Sequence, residues 1–207
     1  MNLRIAPLAL AALCAFAAPA AFAQSKGTIT VGVGAHNVAP KSDNGSLVNG
    51  TLHVDVGSNV RPTITGEYFM ADNLGLEVIA ALPFQHDIKI DGLGKVGSTK
   101  HLPPTVSLNY HFGAPQATVK PYVGAGLNYT LFFSDKAEGA LAGSDLSLKN
   151  SFGLGLQAGI DFKVGNGAIR LNVRKIDIDT DVKLDGADIG TVNIDPTVYG
   201  VHYVFAL

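Results

Sequence analysis

The stretch SFGLGLQAGIDF, residues 151 to 162, decides the fold. Phe152, Leu154, Leu156, Ala158, Ile160 and Phe162 take every second position, with Gly153, Gly155, Gln157, Gly159 and Asp161 between them. Successive side chains of a strand point to opposite faces, so one face of this segment is wholly apolar and the other is small and polar. Which face meets water decides what kind of protein this is.

The same alternation recurs at residues 28–35, 63–68, 76–84, 105–112, 123–133, 169–174 and 198–207, which makes eight strands with the opening segment. Long polar links near residues 38 to 58, 86 to 102, 134 to 149 and 180 to 195 follow the first, third, fifth and seventh strands. Short turns follow the second, fourth and sixth, two of them at Ala71-Asp72-Asn73 and Gly165-Asn166-Gly167. Long loops on one side and short turns on the other, with both termini on the short side, predict an all-β fold: an eight-stranded antiparallel up-and-down transmembrane β-barrel. Phe152 to Phe162 covers ~33 Å of strand, or ~25 Å of height at a tilt of roughly 40°, which matches the apolar band of such barrels.

The interior of an eight-stranded barrel is barely wide enough for its own side chains. Leu, Phe and Tyr from every strand would overfill it, as a soluble lipocalin-like barrel would require, whereas Gly, Thr, Ser and Asn fit. The apolar face is therefore expected to meet lipid, and closure satisfies the backbone of a sheet in hydrocarbon. Aromatics end the outward stripes: Tyr68, Tyr110, Phe112, Phe162, Tyr203 and Phe205 toward the short turns, and Phe84, Phe133, Phe152 and Tyr199 toward the loops.

Residues 1–23 read as a secretory signal peptide, with Arg4, an apolar run from Ile5 to Phe16 and the cleavage signal Ala21-Phe22-Ala23. Residues 24–207 are then the barrel domain. The single cysteine, Cys14, leaves with the leader, as does Arg4, so the remainder is slightly more acidic than the formal net charge of −2 of the whole chain. That balance suggests no nucleic-acid partner. The 24 glycines and the lack of a long apolar run after the leader argue against a helical membrane protein.

The segments ADNLGLE, HLPPT, KPYVGAGLNYTLFF, SDLSLKNSFG and IDIDT, with the Asp-Pro that opens the last strand, resemble the outer membrane protein W (OmpW) family of Gram-negative bacteria. The match runs from about residue 68 to the C terminus. The resemblance implies a monomeric outer-membrane barrel, inserted by the barrel-assembly machinery, with a narrow apolar interior that admits small hydrophobic molecules; some members also act as receptors for bacteriocins or phages. Two departures stand out. The chain ends in Leu207 where such barrels usually end in Phe, and Arg174 takes an inward position where the family more often has an apolar or aromatic residue.

Strand parity puts Glu67, Glu77, Asp161, Lys163, Arg170 and Arg174 inside, mostly near the short turns, as a charged floor or gate. Ile79, Ala81, Thr130, Phe132, Val198 and Gly200 line the lumen above it. An ion-paired plug is the plainer reading of the floor. If the floor is closed, a hydrophobic molecule entering from outside would leave sideways between strands into lipid.

Asp177, Asp179 and Asp181 open like an EF-hand loop, but Val182 stands where glycine is required and Asp188 where Glu is. They read as a solvated acidic rim near lipopolysaccharide. Ile176 and Ile178 fall out of phase with Val173, which points to a bulge or to a strand continuing above the membrane. The six histidines, His36, His53, His86, His101, His111 and His202, have no metal-ligand spacing, so no metal or other cofactor is expected. The outward stripes hold no Ser and His pair of the kind a lipid-modifying enzyme would use, so catalysis is not expected. The remaining alternative is a structural, adhesive or receptor barrel with a filled lumen whose loops carry the function.

Overall fold

The computed structural model describes residues 24–207; the expected signal peptide lies outside the described residues. The strands are β1 (Ile29–Ala39), β2 (Ser46–Leu47), β3 (Leu52–Val56), β4 (Asn59–Ala71), β5 (Leu74–Ala81), β6 (Phe84–Ile90), β7 (Gly94–Leu102), β8 (Thr105–His111), β9 (Val119–Ala137), β10 (Leu146–Leu148), β11 (Ser151–Val164), β12 (Gly167–Ile176), β13 (Asp179–Leu184), β14 (Ala187–Asn193) and β15 (Thr197–Ala206). Eight of them close an antiparallel barrel in the order β1-β4-β5-β8-β9-β11-β12-β15, with β15 returning to β1. These are the eight alternating segments of the sequence. No helix among the described residues is long and apolar enough to cross a membrane.

The alternation resolves as expected. Leu154, Leu156, Leu171, Val201, Val106 and Leu127 are exposed on the outer face, while Thr65, Ser107, Asn109, Asn128 and Asn172 are buried inside. Tyr68, Tyr110, Phe112, Phe162 and Tyr203 are exposed toward the short turns, and Phe152, Tyr199 and Tyr129 toward the loops. The turn after Val164 starts with Gly165 at φ 61°, the glycine-first arrangement of a tight hairpin.

Two sequence expectations are corrected. Phe84 is not part of the outer girdle: it is 2% exposed and points inward, whereas Leu82, two residues earlier, points out. The phase resets at Pro83, which has no N–H to continue a ladder and whose carbonyl accepts a hydrogen bond from Arg61 Nε instead. Phe133, two residues beyond the outward Leu131, is half-buried.

The long links, second, are not polar coil. β6 and β7 extend the β5–β8 hairpin upward, β7 pairs with the top of β9, β3 joins β6 and β2 joins β3, and β10, β13 and β14 form a separate small sheet. Ile176 and Ile178 continue the inward stripe of Arg174, but β12 ends at Ile176 and, after residues 177 and 178, β13 starts at Asp179 in the small upper sheet. These extensions carry their own buried cluster, including Leu47, Val54, Val56, Leu146, Leu148 and Ile178, continuous with Phe84, Phe132, Ile176 and Val198 at the top of the barrel.

Candidate functional site

Seen along its axis the interior has four levels. At the short-turn end Arg170 pairs with Asp161 in a two-point fork, Nε to Oδ1 at 2.7 Å and Nη2 to Oδ2 at 2.9 Å, and its Nη1 bridges Glu67 and Glu77 at 3.0 Å each. Arg174 Nη2 donates to the other oxygen of Glu77 at 2.7 Å. His111, Asn109 and Gln157 take up further carboxylate oxygens, and Gln24 Nε2 donates to Asp161 at 2.6 Å. The guanidinium of Arg170 also lies over the Tyr122 ring, 4.7 Å from its centre. Paired and hydrogen-bonded charges of this kind persist at depth where single charges do not.

Of the six charged residues expected together, Glu67, Glu77, Asp161, Arg170 and Arg174 meet. Lys163 does not: it is half-buried at the rim and forms no ion pair among the described residues. Lys120, not foreseen, is buried beside the floor and donates to Asn73.

Above the floor runs a hydrogen-bonded layer. Since the Asn172 Oδ1 oxygen only accepts, His36 Nε2 donates to it at 3.1 Å, Thr63 Oγ1 donates to His36 Nδ1 at 2.9 Å, and His202 Nε2 donates to Thr63 Oγ1 at 2.8 Å. Gly200 makes this layer possible, because a Cβ there would collide with the His36 ring.

Higher still lies a cavity of about 30 Å³ lined by Ile79, Ala81, Val198, Phe84, Pro103 and Arg174, among others. Three of the six expected lumen residues, Ile79, Ala81 and Val198, line it. Thr130 and Gly200 are buried on the inner face outside it, with Thr130 Oγ1 donating to Asn128 at 2.7 Å. Phe132 belongs to the fourth level, an apolar cup of about 90 Å³ built by the extensions above the membrane. Leu47, Val54, Val96, Leu146, Val182 and Val192 form its walls, and His86, Thr99 and His101 are its polar lining. Burial holds both imidazoles below their ordinary pKa, His101 to about 3 with His86 as a second cause. The cup was missed in the sequence, where the links were read as polar.

The wall has a break at the height of the smaller cavity. β5 pairs with β8 only up to Ile79↔Thr105, and pairing resumes at Phe84↔His101 between β6 and β7. Between these pairs residues 80–83 and 102–104 do not pair with one another, though Ala80 and Ala81 pair with β4 and Leu102 with β9, and three prolines, Pro83, Pro103 and Pro104, edge the gap.

Of the acidic rim, Asp177 and Asp179 approach Asp195, with carboxylate oxygens within 4.8 Å of one another, while Asp181 turns to Lys149 at 3.0 Å. Lys41 pairs with Asp195 at 2.9 Å. Partial burial and the neighbouring Asp179 and Asp195 raise the pKa of Asp177.

Residues 25–206 match the model of the OmpW family. The chain is 38% identical over 202 residues to outer membrane protein W of Vibrio cholerae, covering 92% of this chain and 93% of that one. To outer membrane protein W of Escherichia coli it is 36% identical over 205 residues, covering 96% and 95%. Among solved structures it resembles the outer membrane protein OprG from Pseudomonas aeruginosa, with a TM-score of 0.80 at 28% identity over 89% of this chain and 98% of that one.

Proposed function

The chain belongs to the OmpW family of outer-membrane barrels, and from that premise we propose that it takes small hydrophobic molecules from outside into the cup, passes them to the lumen top and releases them sideways into lipid through the β5–β8 gap. The carrying observation is the opposition of a closed floor and a broken wall. The charged network blocks descent, because an apolar solute would have to displace ion pairs held at 2.7 to 3.0 Å. The neighbouring wall lacks ladder bonds between Ala80–Pro83 and Leu102–Pro104, and Ala81 and Pro103 line both that break and the cavity behind it. Walls made of Leu, Val and Ile favour an apolar guest by about 25 cal/mol per Å² of surface removed from water.

The second reading, a filled barrel whose loops carry the function, is favoured by the size of the cavities, about 90 and 30 Å³, with Phe84 and His101 packed between them. Uptake of a small hydrophobic fluorophore into liposomes carrying the barrel separates the two. Ile79→Trp, which fills the lower cavity, is expected to slow uptake severalfold, and Phe132→Ala, which widens the passage from the cup, to speed it. Uptake equal to that of protein-free liposomes in all three proteins would dismiss the route and leave the loops as the working part.

A further inference from the structure

The upper extensions are apolar within, but one flank of their outer face carries unmatched positive charge. Two polar recesses open there on either side of β6 and share Gln85 as a wall. The first, of about 410 Å³, lies between β6 and the start of β4, with Asn59, Arg61, Asp87 and Lys89 in its lining. The second, of about 200 Å³, lies between β6, β7 and the top of β9, with Ser98, Lys100, Ser134, Lys136 and Glu138. Lys95 bridges the two acids, holding Asp87 at 2.9 Å and Glu138 at 3.0 Å. Arg61, Lys89, Lys100 and Lys136 have no carboxylate at ion-pair distance among the described residues, although Lys89 has Asp55 as its cross-strand neighbour. The Arg61 Nε donates to the Pro83 carbonyl oxygen, which turns the guanidinium toward β6.

Both recesses stand directly above the apolar outer surface. Val60 and Tyr199 of the upper aromatic ring are both exposed and both pair with Asn37, so Asn59 begins one residue above that ring. Lys100 pairs with Phe133, two residues or ~7 Å of strand above the exposed Leu131, and Gln85 follows the exposed Leu82 by three residues. The charge is also one-sided. β5–β8 and β12–β15 lie opposite each other in the eight-strand ring, and the acids Asp177, Asp179 and Asp195 stand between β12 and β15.

We propose that the β6 flank is a docking surface for lipopolysaccharide, with one phosphate of a diphosphorylated headgroup at Lys100 and Lys136, the other at Arg61 and Lys89, and the acyl chains descending over Leu82 and Leu131. The inference rests on the outer-membrane placement of the barrel and not on the transport reading. Cations just above hydrocarbon draw anionic headgroups from the surrounding leaflet. A phosphate brings several charged acceptor oxygens, so two ammonium groups can share one, whereas a zwitterionic headgroup would bring its own cation against them. The acidic flank repels the same phosphates, which fixes the side on which the lipid sits.

The test titrates diphosphoryl and monophosphoryl lipid A against the folded barrel in neutral detergent micelles and reads the bound lipid by native mass spectrometry. The wild-type protein is expected to prefer the diphosphoryl form by roughly tenfold, on the scale of two lysines beside an anionic surface. Lys100→Gln with Lys136→Gln removes that preference. Lys149→Gln with Lys183→Gln, on the other flank, keeps it. All four side chains reach the surface, and the mobility of the folded electrophoretic form checks that each variant still closes its barrel. Equal affinity of the wild type for the two lipids, or equal losses in the two double variants, would overturn the inference. Displacement of diphosphoryl lipid A by millimolar inorganic phosphate, but not by sodium chloride of the same ionic strength, would assign the recesses to free anions and overturn the lipid as their occupant.

Discussion

Arg170 is the residue on which the lumen depends most. It reaches three carboxylates from three other strands, Glu67, Glu77 and Asp161, and stacks on Tyr122. Removing one partner of a buried ionic network strands the others in low dielectric at a cost of about 3–5 kcal/mol. Arg170→Leu is accordingly expected to lower the folded barrel's stability by that order, seen as a drop in the urea midpoint of the folded electrophoretic form; the chain has no Trp to report it by fluorescence. Lys163→Leu should change the stability by no more than about 0.5 kcal/mol and so leave the midpoint nearly where it was. Parity alone put both residues on the inner face and could not separate them. What separates them is height: Arg170 sits opposite Asp161, whereas Lys163 pairs with Ala168, one residue from the turn.

At the scale of elements, the barrel strands were legible because each repeats its alternation long enough to be seen, and the upper sheet was not. Leu52, Val54 and Val56, or Leu146 and Leu148, alternate over only a few residues between polar loops. Their signal lay in the turns: Asp185-Gly186, with φ of 51° and 82°, is the two-residue turn that closes a hairpin, and Asp91-Gly92 stands at the tip of another. The prolines work the other way, by withholding pairs. Pro103 cannot donate across to β5, while Pro104 faces the other neighbour, its carbonyl accepting from Tyr129 N on β9, and the β5–β8 ladder stops at Thr105. Pro103→Thr restores the N–H donor that faces β5 and should let the β5–β8 ladder climb toward Phe84↔His101. Slower amide exchange at residues 80–82 together with reduced fluorophore uptake is the expected result. Slower exchange with unchanged uptake would separate the gap from the transport route.

Across the whole molecule the apolar face changes sides. Between the two aromatic rings it points outward and the interior is Thr, Asn, His and paired charge; above the upper ring the exterior is polar and Leu, Val and Ile turn inward to form the cup. The inversion is made partly by composition, as after β12, where Val173 faces out and Ile176 and Ile178 on the opposite parity face in, and partly by the phase reset at Pro83 that turns Phe84 inward. A chain so patterned has one depth at which it fits a bilayer. An arginine introduced on the lipid face therefore has a cost that reports where the hydrocarbon lies. Leu171, midway along β12 between Ile160 and Val201, should lose about 2–4 kcal/mol of folding free energy in lipid vesicles on Leu171→Arg. Gln85, equally exposed but on the outer face of β6, should tolerate Gln85→Arg nearly without loss, because its side chain already meets water. Equal costs at the two sites would place β6 inside the bilayer, and the cup would then be a membrane cavity and not a mouth.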